Sequence, residues 1–323
     1  MHNTRNVKMY HSYLRGKQFE LLAVRYVIDK IAESNSTPII EPVRQSSRDI
    51  LKCIEVLEQN NSNYIIVSNP KVGELANNSL AREQLLDEIS NTYPNAEFGI
   101  IVNDTSTNTE INIILDRYPQ HSFSIIHFGQ FQDIQFLQEL SATNRQFKKH
   151  IFIEHCSSNF YQSQFSDFER VLIDDCFNRR STNREYRAQL EEFFTDLHVN
   201  YTSRGFQGYG DFSVVGDYFS EGGGQAITAA LHITFDKPTL EIYIRHFLSA
   251  ERQVADEVPI LLEEAISELE AFIRTKPEIL VWSNSLNELL EIYQNGCQTS
   301  LAYIKKLSIA HHFELMHKVL ING

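Results

Sequence analysis

Short apolar runs alternate with segments of helical periodicity along most of the chain. The runs that we interpret as strands are 37–43, 64–70, 98–104, 123–129, 150–156, 171–176, 211–217 and 226–235. Runs this short and this rich in β-branched residues are typical of strands buried on both faces, so they predict a parallel sheet. The helical segments between them predict right-handed βαβ connections. We therefore expect an α/β fold, a (β/α)8 TIM-like barrel, with an open doubly wound sheet as the alternative.

The segments around these strands complete the predicted architecture. Residues 10–20 lead into a helical pattern, and 184–199 is typical of a long helix before the seventh strand. Residues 240–248 predict a strand that pairs with 226–235 as a hairpin, turning at Asp236-Lys237-Pro238. Amphipathic helices are expected within 254–273 and 285–321. We expect a single domain over 1–323, with a barrel core and hairpin over 1–250 and a C-terminal helical extension over 251–323.

Composition limits the classes of partner and compartment. The chain has 29 Lys and Arg against 42 Asp and Glu, a formal net charge of −13. Such an acidic balance repels nucleic-acid phosphates, so direct binding to DNA or RNA is not expected without a partner. The four cysteines show no CxxC spacing, which disfavours a zinc knuckle or a disulfide framework. With no signal-like segment and no apolar stretch of ~20 residues, we expect a cytoplasmic protein without membrane association.

Polar residues at the strand ends form the first candidate site, because the carboxyl ends of barrel strands converge on one rim. Glu154 and Asp174 each follow a three-residue apolar run, so they share a phase and should point to the same side of the wall. The candidate catalytic residues are Glu41, Glu154, Asp174, Asp217 and His232. The candidate ligands of a divalent metal are Glu154, Asp174, Asp217 and His127. The structural alternative is that these groups cap helices or reach water.

Two further segments are candidates for binding phosphate. Gly222, Gly223 and Gly224 lie between the predicted seventh and eighth strands, where many barrels hold phosphate with backbone N–H groups. The triplet leads into a strand and forms no known phosphate-loop motif, so a flexible loop is the alternative. Arg179 and Arg180, just past the strand at 171–176, could make bidentate contacts to phosphate or carboxylate.

Several segments together resemble the beta-protein family of bacterial and phage genomes. They are YLRGKQFELLAV (13–24), PIIEPV (38–43), GFQGYGDFSVVGDYFSEGGG (205–224), LHITF, RHFLS and KKLSIAHHFEL (305–315). The resemblance spans nearly the whole chain, and the glycine-rich block is its most specific part. It implies a barrel-like fold and an association with defence or mobile loci, sometimes beside a gene for a nuclease-like protein. It carries no assigned catalytic residues to this chain.

Two functions follow as expectations. The first is a component of a bacterial anti-phage defence system that acts with, or regulates, a nuclease-like partner. The alternative is a metal-dependent hydrolase or phosphodiesterase acting on a phosphate-containing small molecule or nucleotide at the barrel mouth. A barrel that serves only as a scaffold or immunity protein is a third interpretation. The sequence leaves turnover, the metal and the oligomeric state open.

Overall fold

The computed structural model describes residues 9–221, 227–252, 257–276 and 283–322. Its centre is a closed barrel of eight parallel strands, which confirms the predicted fold class. The barrel strands are β1 (Met9–Leu14), β2 (Ile39–Ile40), β3 (Ile65–Val67), β4 (Glu97–Val102), β5 (Ser122–His127), β6 (Phe147–Ile153), β7 (Arg170–Asp174) and β9 (Gly208–Asp211). The strand between the last two in sequence, β8 (Glu191–Thr195), lies outside the barrel. β9 pairs with both β7 and β1, and this pairing closes the ring.

Helices cover the outside of the barrel. Those that follow the strands are α1 (Gln18–Tyr26), α2 (Ile28–Ser34), α3 (Arg48–Gln59), α4 (Ser79–Thr92), α5 (Asn108–Arg117), α6 (Ile134–Thr143), α7 (Asn159–Ser163) and α8 (Leu197–Asn200). Their sequences explain their packing and their ends. In α3, Ile50, Cys53, Ile54 and Leu57 are buried at helical spacing. In α5, Thr107 and Glu110 form a reciprocal capping box at the first turn.

The apolar residues that point inward fill the barrel. This interior cluster consists of Tyr13, Ile39, Ile65, Val67, Ile101, Ile126, Ile151, Ile153, Val171, Ile173 and Phe212. The alternate residues of the same strands pack outward under the helices, as Ile125 and Leu172 do. Most barrel strands are therefore apolar on both faces, which is the pattern that identified them in the sequence.

The first barrel strand lies in a segment that the sequence pattern assigned to the approach of a helix. β1 contains the buried polar residues His11 and Ser12. Its sequence therefore lacks the continuous apolar run that identifies a barrel strand. The seventh predicted strand, 211–217, is also displaced. β9 ends at Asp211, and Ser213–Val215 form a 3₁₀ turn. Gly210 of β9 faces His11 so closely that a Cβ there would overlap the His11 carbonyl oxygen, which explains why this position carries no side chain.

The predicted eighth strand is wrong as a member of the barrel. It is β10 (Ala230–Asp236), which forms an antiparallel hairpin with β11 (Ile242–Leu248), and β11 pairs in turn with β8. The hairpin is thus confirmed, but it belongs to a separate three-stranded sheet in the order β10-β11-β8.

The helix expected over 184–199 is also wrong. The segment forms a 3₁₀ helix (Asn183–Ala188), then β8, then the short α8. Phe193 is exposed and Phe194 is buried, an alternation with the period of two that a strand requires.

In the described part of the chain after the hairpin, the helices are α9 (Val258–Thr275), α10 (Asn284–Gln294) and α11 (Leu301–Asn322). α9 packs on the sheet through a cluster that includes Ile233, Phe235 and Phe247. α11 packs against α1, α2 and β10, so the C-terminal helix completes the layer around the barrel. Its first turns lie at the end of the barrel where the strands finish, because Lys305 shares a cleft with Gly16. Within the described ranges, no helix combines the length and apolarity needed to cross a bilayer.

Candidate functional site

An ionic cluster around Arg15, the residue that follows β1, closes the C-terminal end of the barrel. The Arg15 guanidinium forms ion pairs with Glu41, just after β2, and with Asp217, just after the 3₁₀ turn that follows β9. Arg15 Nη2 also donates to the carbonyl oxygen of Asp217 at 2.8 Å. Glu41 is fully buried and accepts from the Tyr13 hydroxyl at 2.7 Å and from the Lys71 backbone N–H at 2.6 Å. The buried charge of Glu41 is therefore paired and fully hydrogen-bonded.

Aromatic rings lie beneath this ionic cluster. The guanidinium carbon of Arg15 is 5.1 Å from the ring centroid of Tyr13, 5.7 Å from that of Phe128 and 5.6 Å from that of Phe212. Tyr13 and Phe212 also pack on each other, with centroids 4.9 Å apart. The cation thus rests on an aromatic layer that continues into the apolar interior. The centre of the mouth is filled by these side chains.

A second group of carboxylates lies at the ends of β6 and β7. Burial raises the pKa of Asp174, and the negative charge of Glu154 raises it further. Glu154 is also paired with Arg204, whose nitrogen is 2.6 Å from its nearer carboxylate oxygen. Burial likewise raises the pKa of Asp175, which accepts from the backbone N–H of Asp217 at 3.1 Å. These acids lie beside the ionic cluster on the same rim.

His127 does not join the other three candidate metal ligands. Ile126 points into the barrel, so strand alternation turns His127 outward. There its Nδ1 lies 2.9 Å from the Tyr161 hydroxyl, its Nε2 lies 2.9 Å from His150 Nδ1, and its ring stacks on Phe152 at 4.3 Å. Within the parts of the chain that the structure describes, no group of three or more His, Cys, Asp or Glu side chains could hold a metal ion.

His232 lies away from the rim carboxylates, because the strand that carries it belongs to the separate sheet. It forms a chain of hydrogen bonds with His246 and Glu192: the two histidine Nδ1 atoms are 2.7 Å apart, and His246 Nε2 is 3.1 Å from Glu192 Oε1. Burial lowers the pKa of both histidines, so both rings are neutral near pH 7.

The proton positions in this chain follow from the carboxylate. A carboxylate only accepts, so His246 carries its proton on Nε2 and its Nδ1 is an acceptor. His232 must then donate from Nδ1. Its Nε2 is left with a lone pair and has no hydrogen-bond partner among the described residues. This atom is an acceptor available to a ligand.

Arg179 and Arg180 both follow β7, but they have different surroundings. Arg180 donates to Glu192 Oε2 at 2.9 Å and to the Asn178 carbonyl at 2.8 Å, so it neutralises the buried carboxylate. The Arg179 guanidinium stacks on Tyr218, 3.5 Å from the ring centroid, and makes no ion pair within the described ranges. Both arginines line a cleft of about 310 Å³ that also contains His232 and Lys305.

A larger cleft of about 490 Å³ lies on the other side of Lys305, between the loops after β1 and β2. It holds charges of both signs. Arg44 is paired with Glu74 at 2.7 Å, and Glu20 is buried beside Lys17 and Lys305, where burial raises its pKa. Because the cleft contains both cationic and anionic side chains, its charge favours neither an anionic nor a cationic ligand.

A hydrogen-bonded chain resembling a catalytic triad lies elsewhere and is buried. Asp211 Oδ2 is 3.1 Å from His312 Nε2, and His312 Nδ1 is 2.9 Å from the Thr234 hydroxyl. Asp211 also accepts from the Tyr10 hydroxyl at 2.8 Å. All four side chains are buried between the barrel, the separate sheet and α11, so the chain holds these layers together and presents no group to a substrate.

Sequence reasoning missed several residues at these sites. Arg15 and Tyr13 were overlooked because their strand was not recognised, although both stand in the segment that carries the family resemblance. Glu192 stands in the segment 184–199, which its pattern assigns to a long helix, and Lys305 has no sequence signal of its own. Recognising the period of two in EEFFT would have identified the first of these. Gly222, Gly223 and Gly224 lie outside the described residues.

Comparison of the chain with models of known protein families, with curated proteins and with solved structures found no match in any of the three.

Proposed function

We propose that this protein is a regulatory component of a bacterial anti-phage defence system and acts by binding a nuclease-like partner. The observation that supports binding over chemistry at the barrel centre is the Arg15 cluster. A reaction at the mouth needs carboxylates that are free to exchange protons or hold a substrate. Glu41 and Asp217 are instead committed to one guanidinium above an aromatic layer. The partner and the defence role come from the family resemblance.

The charge of the chain is consistent with such a partner. Acidic residues outnumber basic ones by 42 to 29, so the surface attracts a basic protein and repels free nucleic acid. A nuclease needs a basic surface to hold the phosphate backbone. An acidic regulator can cover that surface, and its binding should weaken as salt is raised.

The test is a phage challenge of cells that carry the gene for this chain with its natural neighbours. Deleting the gene should change the efficiency of plating at least tenfold, and a tagged chain should co-purify with a nuclease-like product of a neighbouring gene at low salt. Asp174→Asn and Glu154→Gln variants should protect as well as the wild type. Protection that is unaffected by the deletion would refute the proposal.

The second candidate function is a hydrolase of phosphate esters, and the raised pKa values of Asp174 and Asp175 favour it. Acids whose pKa is raised by burial at a rim are typical of general acid catalysis. The purified chain would be assayed on bis-p-nitrophenyl phosphate with and without Mg²⁺ or Mn²⁺. Turnover that Asp174→Asn abolishes, in a variant that unfolds at the wild-type urea concentration, would establish this function in place of the first.

A further inference from the structure

The cleft between the loop after β7 and the start of α11 has an unusual charge for this chain. Among the residues that the structure describes, its lining contains three basic side chains, those of Arg179, Arg180 and Lys305, and no aspartate or glutamate. In a protein with 42 acidic and 29 basic residues, this group of three cations is a local reversal of the overall charge. Concave walls of low dielectric also concentrate the field of such a group of cations.

Two of the three cations are available to a ligand. Arg180 is committed to the buried carboxylate of Glu192. Arg179 and Lys305 are exposed and make no ion pair with any residue that the structure describes. The ring of Tyr218 holds the Arg179 guanidinium by stacking on one face, which leaves its N–H edge free. A planar, pre-positioned guanidinium and an ammonium that line the same cleft suit the oxygens of a phosphate group.

The remaining walls indicate what accompanies the phosphate. Phe177, Tyr186, Val215 and Ile304 provide aromatic and aliphatic surface. Between them, His232 presents its Nε2 lone pair, fixed in that state by the chain of hydrogen bonds through His246 to Glu192. A ligand that fits must combine an anionic group with an apolar or aromatic part and an O–H or N–H donor. The cleft, at about 310 Å³, is at the lower end of the range for small-molecule sites.

We infer that this cleft binds a small organic phosphate of the nucleoside monophosphate class, with the phosphate on Arg179 and Lys305 and a ligand donor on His232. The inference goes beyond the proposed regulatory role and does not depend on it. Binding is measured on the purified chain alone, whereas regulation is measured with its partner, so either can fail without the other.

The experiment is isothermal titration calorimetry of the full chain with the four common nucleoside 5′-monophosphates, their nucleosides and inorganic phosphate. At least one nucleotide should bind at least tenfold more tightly than its own nucleoside and than inorganic phosphate. The Kd should rise between 50 and 300 mM NaCl, because the contact is ionic. Arg179→Met and Lys305→Met should each weaken binding by about tenfold, which is typical of losing a charge-assisted hydrogen bond.

Arg145→Met is the matched control. It removes the same charge from an exposed position before β6, at the opposite end of the barrel, and should leave the Kd unchanged. Because Arg179 and Lys305 are exposed, their variants should unfold at the wild-type urea concentration. The inference is overturned if no nucleotide binds below 5 mM, if nucleoside or inorganic phosphate binds as well as the nucleotide, or if Arg145→Met matches the loss caused by Arg179→Met.

Discussion

The substitution Arg15→Met is the most informative perturbation of the ionic cluster. The Arg15 side chain is only 7 % exposed, and the side chain of its partner Glu41 is 0 % exposed. Methionine keeps much of the volume of the arginine stem over the aromatic layer but removes the charge. Glu41 then keeps its hydrogen bonds from the Tyr13 hydroxyl and the Lys71 N–H, yet it becomes a buried carboxylate without a counter-charge.

The expected magnitude follows from this burial. Removing one partner of a buried ion pair costs about 3–5 kcal/mol, because the remaining charge stays desolvated. The second partner, Asp217, is 23 % exposed and can turn to water, so it should add little. We therefore expect Arg15→Met to lower the free energy of unfolding by about 3–5 kcal/mol at pH 7.5.

The assay is urea unfolding followed by circular dichroism, with a double-mutant cycle and a matched control. Glu41→Gln alone should also destabilise the fold, and the double variant should recover part of the loss, because no buried charge remains. Arg44→Met removes the same charge from an ion pair with Glu74 whose side chains are 41 % and 37 % exposed. That pair should contribute only about 0–1 kcal/mol. Equal losses in Arg15→Met and Arg44→Met would refute the assignment of Arg15 as a buried counter-charge.

Three further predictions concern the frame around the site. Burial lowers the pKa of His150 to about 3 from an ordinary 6.5, so between these values the unfolded chain binds a proton that the folded chain does not. Stability should therefore fall by up to about 1.4 kcal/mol per pH unit below pH 6.5, and His150→Gln should flatten this slope in urea titrations at pH 7 and pH 5. Gly210→Ala should prevent closure of the barrel, because a Cβ at this position overlaps backbone atoms. In the control variant Gly99→Ala, the new Cβ meets only isoleucine side chains, so the protein should fold with a lower melting temperature. Soluble, cooperative Gly210→Ala would contradict the pairing of β9 with β1. Thr107→Ala, which removes the cap of α5, should cost about 1 kcal/mol, and an unchanged melting temperature would show that the capping box is not needed.

The rim illustrates how far sequence patterns reach. Glu154 and Asp174 follow short apolar runs, and these runs form the neighbouring strands β6 and β7, so both residues lie at the same end of the barrel. Glu41 and Asp217 were also expected at the rim, and they do meet there. The sequence pattern does not predict Arg15, which forms ion pairs with both. Because of these ion pairs, the two carboxylates are members of an ionic cluster and not free acids. A pattern of apolar residues identifies the end of a strand. It does not identify the side chain from another strand that pairs with a charge at that end.

The alternation of buried strands and helices was determined by the sequence itself, because burial on both faces leaves a local signature in each strand. The choice of which strands close the ring was decided only by the tertiary structure. β1 carries buried polar residues and β9 is built on glycine, so both lack that signature, whereas β10 has it and yet pairs elsewhere. Strand pairing brings together residues that are far apart in the chain. Arg15, for example, forms ion pairs with residues 26 and 202 positions away because their strands are neighbours in the ring. Local periodicity reports burial, and only the closed ring of backbone hydrogen bonds brings these groups to one point.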